Sequence, residues 1–130
     1  MQSTDLVAMS ALPGILLIDD DLGVREGLAD LLASVAPVRT AGSWQSARRV
    51  LGHEPVGLVV TDYRLREDEG EVELLQEVRS LGVPMILCTG AYPSELQQAR
   101  DRFRPDALLG KPFSLDEMMA AVSRLYRKAP

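Results

Sequence analysis

The chain has 130 residues, 46% of them hydrophobic and 25% charged, with a formal net charge of −5. That size is one domain with enough apolar side chains for a proper core, and the acidic balance argues against nucleic acid as the main partner. The one cysteine, Cys88, excludes an internal disulfide framework or a thiolate metal cluster, and no apolar run approaches a membrane span.

Residues 1–12 carry no pattern and read as a flexible lead-in to a domain over 13–128. They lack a basic segment followed by an apolar stretch, so no membrane partner and a cytoplasmic location are expected. Residues 15–18 are a continuous aliphatic run, as in a parallel strand covered on both faces. Three aspartates follow at once, in "ILLIDDD", where like charges at a core edge raise the cost of ionisation. Asp21 can cap the next helix, and its expected apolar stripe is Val24, Leu28, Leu31, Leu32 and Val35.

Residues 38–41 form a weak strand candidate, and Trp44, Ala47, Val50 and Leu51 a second helical stripe. His53, the only histidine, reads as an exposed turn residue. Strong apolar runs recur at 56–61 and 83–88, separated by the helical positions Val72, Leu75 and Val78. The segment "MILCTG" makes Cys88 a small core hydrophobe. A fourth helix over 93–102 offers only Leu96, Ala99 and Phe103 as inward residues and should be loosely held. After a weak strand candidate at 107–109, "SLDE" forms a capping box of Ser114 with Glu117. It opens a helix with the stripe Leu115, Met118, Met119, Val122, Leu125 and Tyr126. Arg124, Arg127 and Lys128 read as a solvated last turn that suits the helix dipole. Strict alternation of five strands with five helices predicts a doubly wound parallel α/β sheet.

In such a sheet, ligands bind outside the carboxyl ends of the strands. Those ends supply Asp19 and Asp20, then Asp62, Thr89 and Lys111. Clustered carboxylates suit a hard, oxygen-seeking ion such as Mg2+. An ammonium and a hydroxyl suit phosphoryl oxygens. Magnesium-assisted phosphoryl transfer to a carboxylate follows from that combination. Taken singly, each residue also has a structural reading: Asp62 starts a turn, Thr89 caps a loop, Lys111 is a solvated strand end.

The segments "IDDD", "VVTDYRL", "LCTG" and "GKPF" stand in the order and near the spacing of the receiver domains of two-component response regulators. The chain resembles that family over residues 14–128. The resemblance implies a flavodoxin-like fold with strand order 2-1-3-4-5. It implies Asp62 as the phosphoacceptor, charged by a phosphohistidine on a sensor histidine kinase or phosphotransfer protein. Asp20, Asp62 and the backbone carbonyl of Arg64 would hold Mg2+ directly, with Asp19 acting through water. Thr89, Lys111 and the backbone N–H groups of Arg64 and Gly90 would bind the phosphoryl oxygens. The Lys111–Pro112 bond would be cis, as proline permits.

The sequence also departs from the family pattern. Arg66 stands where proline is usual after the acceptor, the acidic "REDEGEVE" is about one residue longer than usual, and Leu108 replaces the usual aromatic residue three before the lysine. Leucine has no ring to turn, so the expected signal is a shift or ordering of residues 90–104, read by a downstream protein on the face of helix 4 and strand 5. The Arg64 side chain either covers the phosphoryl group or pairs outward with Glu67 or Asp68. Apart from phosphorylating and dephosphorylating itself, the chain is not expected to turn over an external substrate. Two further readings stay open: a receiver-like module acting without phosphorylation, and a Mg2+-dependent aspartyl-phosphate phosphatase.

Overall fold

The structure, a computed structural model, describes residues 12–62, 69–90 and 93–128. Its elements are β1 (Gly14–Ile18), α1 (Leu22–Leu32), β2 (Val38–Ala41), α2 (Trp44–His53), β3 (Val56–Asp62), α3 (Glu69–Ser80), β4 (Met85–Gly90), α4 (Pro93–Phe103), β5 (Ala107–Lys111) and α5 (Leu115–Leu125). All strand pairs are parallel, and the order is β2-β1-β3-β4-β5. The expected doubly wound sheet of five strands, with its five helices, is therefore present. The order in which strands are added reverses between β1 and β3, which places a crevice at their carboxyl ends.

Alternation along the strands divides the core in two. Ile15, Leu17, Leu58, Val60, Ile86 and Cys88 pack with Leu28 and Leu32 of α1 and Met118, Ala121 and Val122 of α5. On the other face, Leu16, Ile18, Val59, Met85 and Leu87 meet Ala47 of α2, Leu74, Leu75 and Val78 of α3, and Ala99 and Phe103 of α4. Cover on both faces explains why the central strands read as unbroken apolar runs. β2 lies at the sheet's edge, and Ala41 is its one buried residue.

Several local expectations hold. Asp21 caps α1 through its side chain, which accepts the Val24 N–H. Ser114 and Glu117 form the reciprocal capping box at α5. α4 is held lightly: Ala99 and Phe103 are buried, Leu96 is half-buried, and the other described side chains face solvent. Other expectations need correction. Val24 and Leu115 are exposed at 38% and 59%, so neither belongs to its helix's inward stripe. Both lie in the first turns of their helices. α1 ends at Leu32, which leaves Val35 in the following turn. His53 is in the last turn of α2, its ring Nδ1 against the Arg49 carbonyl. Arg127 and Lys128 lie beyond the end of α5 at Leu125.

Candidate functional site

Each element delivers its chemistry to the carboxyl edge for a local reason. β1 stops at Ile18, and the Asp19 N–H donates to the Ala41 carbonyl (3.1 Å), the last contact of that strand with β2. The next residues turn back on themselves: the Asp21 N–H donates to Asp19 Oδ1 (2.9 Å) and the Val24 N–H to Asp21 Oδ1 (3.0 Å). Asp19 is thus buried while Asp20 remains exposed. Asp62 is the last residue of β3 and Lys111 the last of β5. Between them runs β4, whose Cys88 is paired with Asp62 and whose Gly90 is paired with Lys111.

Four of the expected residues are brought together. One carboxylate oxygen from each of Asp19, Asp20 and Asp62 lies within 4.8 Å of the others. The Lys111 ammonium is 3.4 Å from Asp62 Oδ1 and 3.8 Å from Asp19 Oδ2. Burial pushes the Asp19 carboxyl above the ordinary carboxylate value; the Asp21 N–H and Lys111 pull it down, and Asp62 and Asp20 push it up. Among the described residues, one ammonium is set against three carboxylates, which makes the site rich in negative charge and hard oxygen donors. That donor set fits a hard divalent cation such as Mg2+.

Thr89 is fully buried, and its Oγ1 has no hydrogen-bond partner. An unsatisfied buried hydroxyl is costly and calls for an explanation. Here it lies on β4 between the acidic cluster and the strand of Lys111, where an incoming oxygen acceptor would satisfy it. Gly90 is the last residue of β4, one beyond the strand end expected at Thr89. Arg64, Arg66, Glu67 and Asp68, with the roles expected of them, lie outside the described residues. The Lys111–Pro112 peptide is cis, as the resemblance implies.

Two further features were not legible in the sequence, one beside the site and one in α3. Cys88 feels Lys111, Asp62 and Asp19, so it lies close to the cluster, and burial pushes its thiol up to about 12. It is accordingly a neutral, unreactive thiol at physiological pH. Glu71, in the first turns of α3, is 2% exposed although it reads as a surface residue. Neither has a sequence signal beyond its position beside an apolar run.

The chain belongs to the response regulator receiver domain family, whose model matches residues 15–123. It is 31% identical over 120 residues to the transcriptional regulatory protein GltR of Pseudomonas aeruginosa, a match that covers 88% of this chain and 49% of GltR. It is 25% identical over 118 residues to a Rhizobium etli protein named "Probable chemotaxis protein CheY", covering 86% of this chain and 91% of that one. Thus the chain spans about half the length of the first relative and nearly all of the second. A response regulator receiver protein from Pseudomonas putida shares the fold with a TM-score of 0.75 at 25% identity, over 88% of this chain and 98% of its own.

Proposed function

We propose that the chain is a phosphorylatable receiver: Asp62 takes a phosphoryl group from a phosphohistidine on a sensor histidine kinase or phosphotransfer protein. An Asp62 carboxylate oxygen forms the new P–O bond while the P–N bond to imidazole breaks. The histidine leaves with the electron pair and an acyl phosphate remains on Asp62. Asp19, Asp20, Asp62 and the Arg64 backbone carbonyl are the residues that would hold Mg2+. When bound, that ion supplies positive charge against the carboxylates and the transferring phosphoryl oxygens.

The chain's own residues do the rest. Lys111 carries a fixed positive charge beside Asp62, where phosphoryl oxygens would gather. Thr89 supplies a donor already desolvated and unpartnered, so binding a phosphoryl oxygen costs it no competing bond. The backbone N–H groups of Arg64 and Gly90 would complete the cradle. Output would pass to a downstream protein through the face of α4 and β5.

The observation that carries this reading is the Lys111 ammonium between Asp62 and Asp19, with Asp20 completing the acidic cluster. A module acting without phosphorylation has no use for that arrangement together with an orphaned Thr89 hydroxyl. Acetyl phosphate with magnesium chloride tests it by intact mass. The native chain gains one phosphoryl increment and Asp62→Asn gains none; equal labelling of the two would refute the assignment.

A further inference from the structure

The acidic turn after β1 has to hold Asp19 and Asp20 against their own repulsion before any cation arrives. Its backbone is anchored by the Asp19 N–H on the Ala41 carbonyl, the Asp21 N–H on Asp19 Oδ1 and the Arg25 N–H on the Asp21 carbonyl. The Asp19 carbonyl lies outside the sheet ladder. It is taken by Arg25, whose Nη1 donates to it at 2.8 Å from the second turn of α1. The guanidinium is seated over Gly42, in the turn between β2 and α2. A Cβ there would stand 2.6 Å from Nη1, 3.3 Å from Cζ and 3.7 Å from Nη2. Gly42 is not among the described residues with positive φ, so its backbone conformation does not require glycine. A side chain at position 42 would instead displace the guanidinium from its seat.

We propose that Arg25 is a positioning residue for the cation site, locking the Asp19–Asp20 turn by filling the space over Gly42 and holding the Asp19 carbonyl. One side chain thereby joins three segments: the acidic turn, α1 and the turn after β2. It acts through the backbone rather than as a counter-charge. Lys111, Asp62 and Asp20 move the Asp19 carboxyl, and Arg25 is not among the charges that do. The identity of the cation as magnesium rests on the function proposed above; the lock itself does not.

Arg25→Met, Arg25→Lys, Gly42→Ala and the double variant Arg25→Met/Gly42→Ala test the lock. Amide hydrogen exchange of Asp21 and Val24 is followed in cation-free protein, and magnesium chloride is titrated by amide chemical shifts. All measurements are made well below the thermal midpoint. The lock predicts faster exchange at both amides in Arg25→Met and Gly42→Ala. It predicts magnesium affinity reduced by about tenfold or more, the usual range for groups that orient metal ligands. Arg25→Lys recovers part of both effects. The double variant matches the single ones, because both remove the same contact. Unchanged exchange and affinity in Arg25→Met, or additive losses in the double variant, overturn the inference. A native chain with no magnesium affinity overturns the function proposed above and the link from lock to cation, while the exchange result still decides the lock.

Discussion

Replacing Lys111 by methionine keeps an unbranched side chain, one atom shorter, and deletes the ammonium that faces the acidic cluster. The ammonium is 3.4 Å from Asp62 Oδ1 and 3.8 Å from Asp19 Oδ2. At such separations each attraction is about 4 kcal/mol in a surface-like medium and about 1 kcal/mol in bulk water. Lys111 is 37% exposed at its side chain, whereas Asp19 and Asp62 are 7% and 11% exposed. The pair therefore falls between a surface ion pair, worth up to about 1 kcal/mol, and a buried one, whose breaking costs about 3–5 kcal/mol. A loss of about 1–2 kcal/mol is expected for Lys111→Met in urea unfolding at neutral pH without divalent cations.

The pH dependence has a definite sign. Native Asp19 holds its proton to higher pH than the unfolded chain, whose value is near 3.8. The native state therefore binds more protons in that window, and stability falls as pH rises through it. Lys111 opposes the shift, so its removal widens the window and steepens the fall. Below the unfolded carboxylate value the native chain and Lys111→Met converge. A variant as stable as the native chain at neutral pH, or a loss independent of pH, would refute the electrostatic account.

Asp20→Ala should fold with no loss of cation-free stability, since it removes one of three repelling charges, yet lose magnesium binding and phosphorylation; normal labelling rates would remove Asp20 from the ligand set. Thr89→Val should raise cation-free stability by about 1 kcal/mol, because a methyl replaces a buried hydroxyl with no partner. The same variant should slow phosphoryl uptake from acetyl phosphate, and a destabilised, fully active Thr89→Val would contradict the proposed role. Arg64→Ala should shorten the phosphoryl half-life if its guanidinium covers the group, and an unchanged half-life would leave Arg64 an ordinary surface residue. Beryllofluoride should change amide exchange across residues 90–104, the segment that includes lightly anchored α4; changes confined to the loop after Asp62 would exclude that segment as the carrier of the signal.

The elements were legible because two-sided burial writes β1, β3 and β4 as apolar runs and one-sided burial writes the helices as stripes. The strand order was not written that way. Nothing in the runs themselves sets β1 between β2 and β3, and it was the resemblance that supplied the order. The grouping of Asp19, Asp20, Asp62 and Lys111 was legible because parallel strands deliver all their carboxyl ends to one edge. Periodicity failed at first helical turns, where Val24 and Leu115 keep the helical spacing but are exposed. It also failed at Glu71, whose burial depends on tertiary neighbours. The seat of Arg25 over Gly42 left no trace in the sequence. An arginine on a helix and a glycine in a turn are each unremarkable until the fold brings them together.

The central claim is that Asp62 is the atom-level acceptor, and it is tested most directly by locating the modification. Chain treated with acetyl phosphate and magnesium is reduced with borohydride, which converts an aspartyl phosphate to homoserine, and its peptides are sequenced by mass spectrometry. The account predicts homoserine at position 62 alone, and only when magnesium was present. Label at Asp19 or Asp20, or none at position 62 in the presence of magnesium, would contradict it.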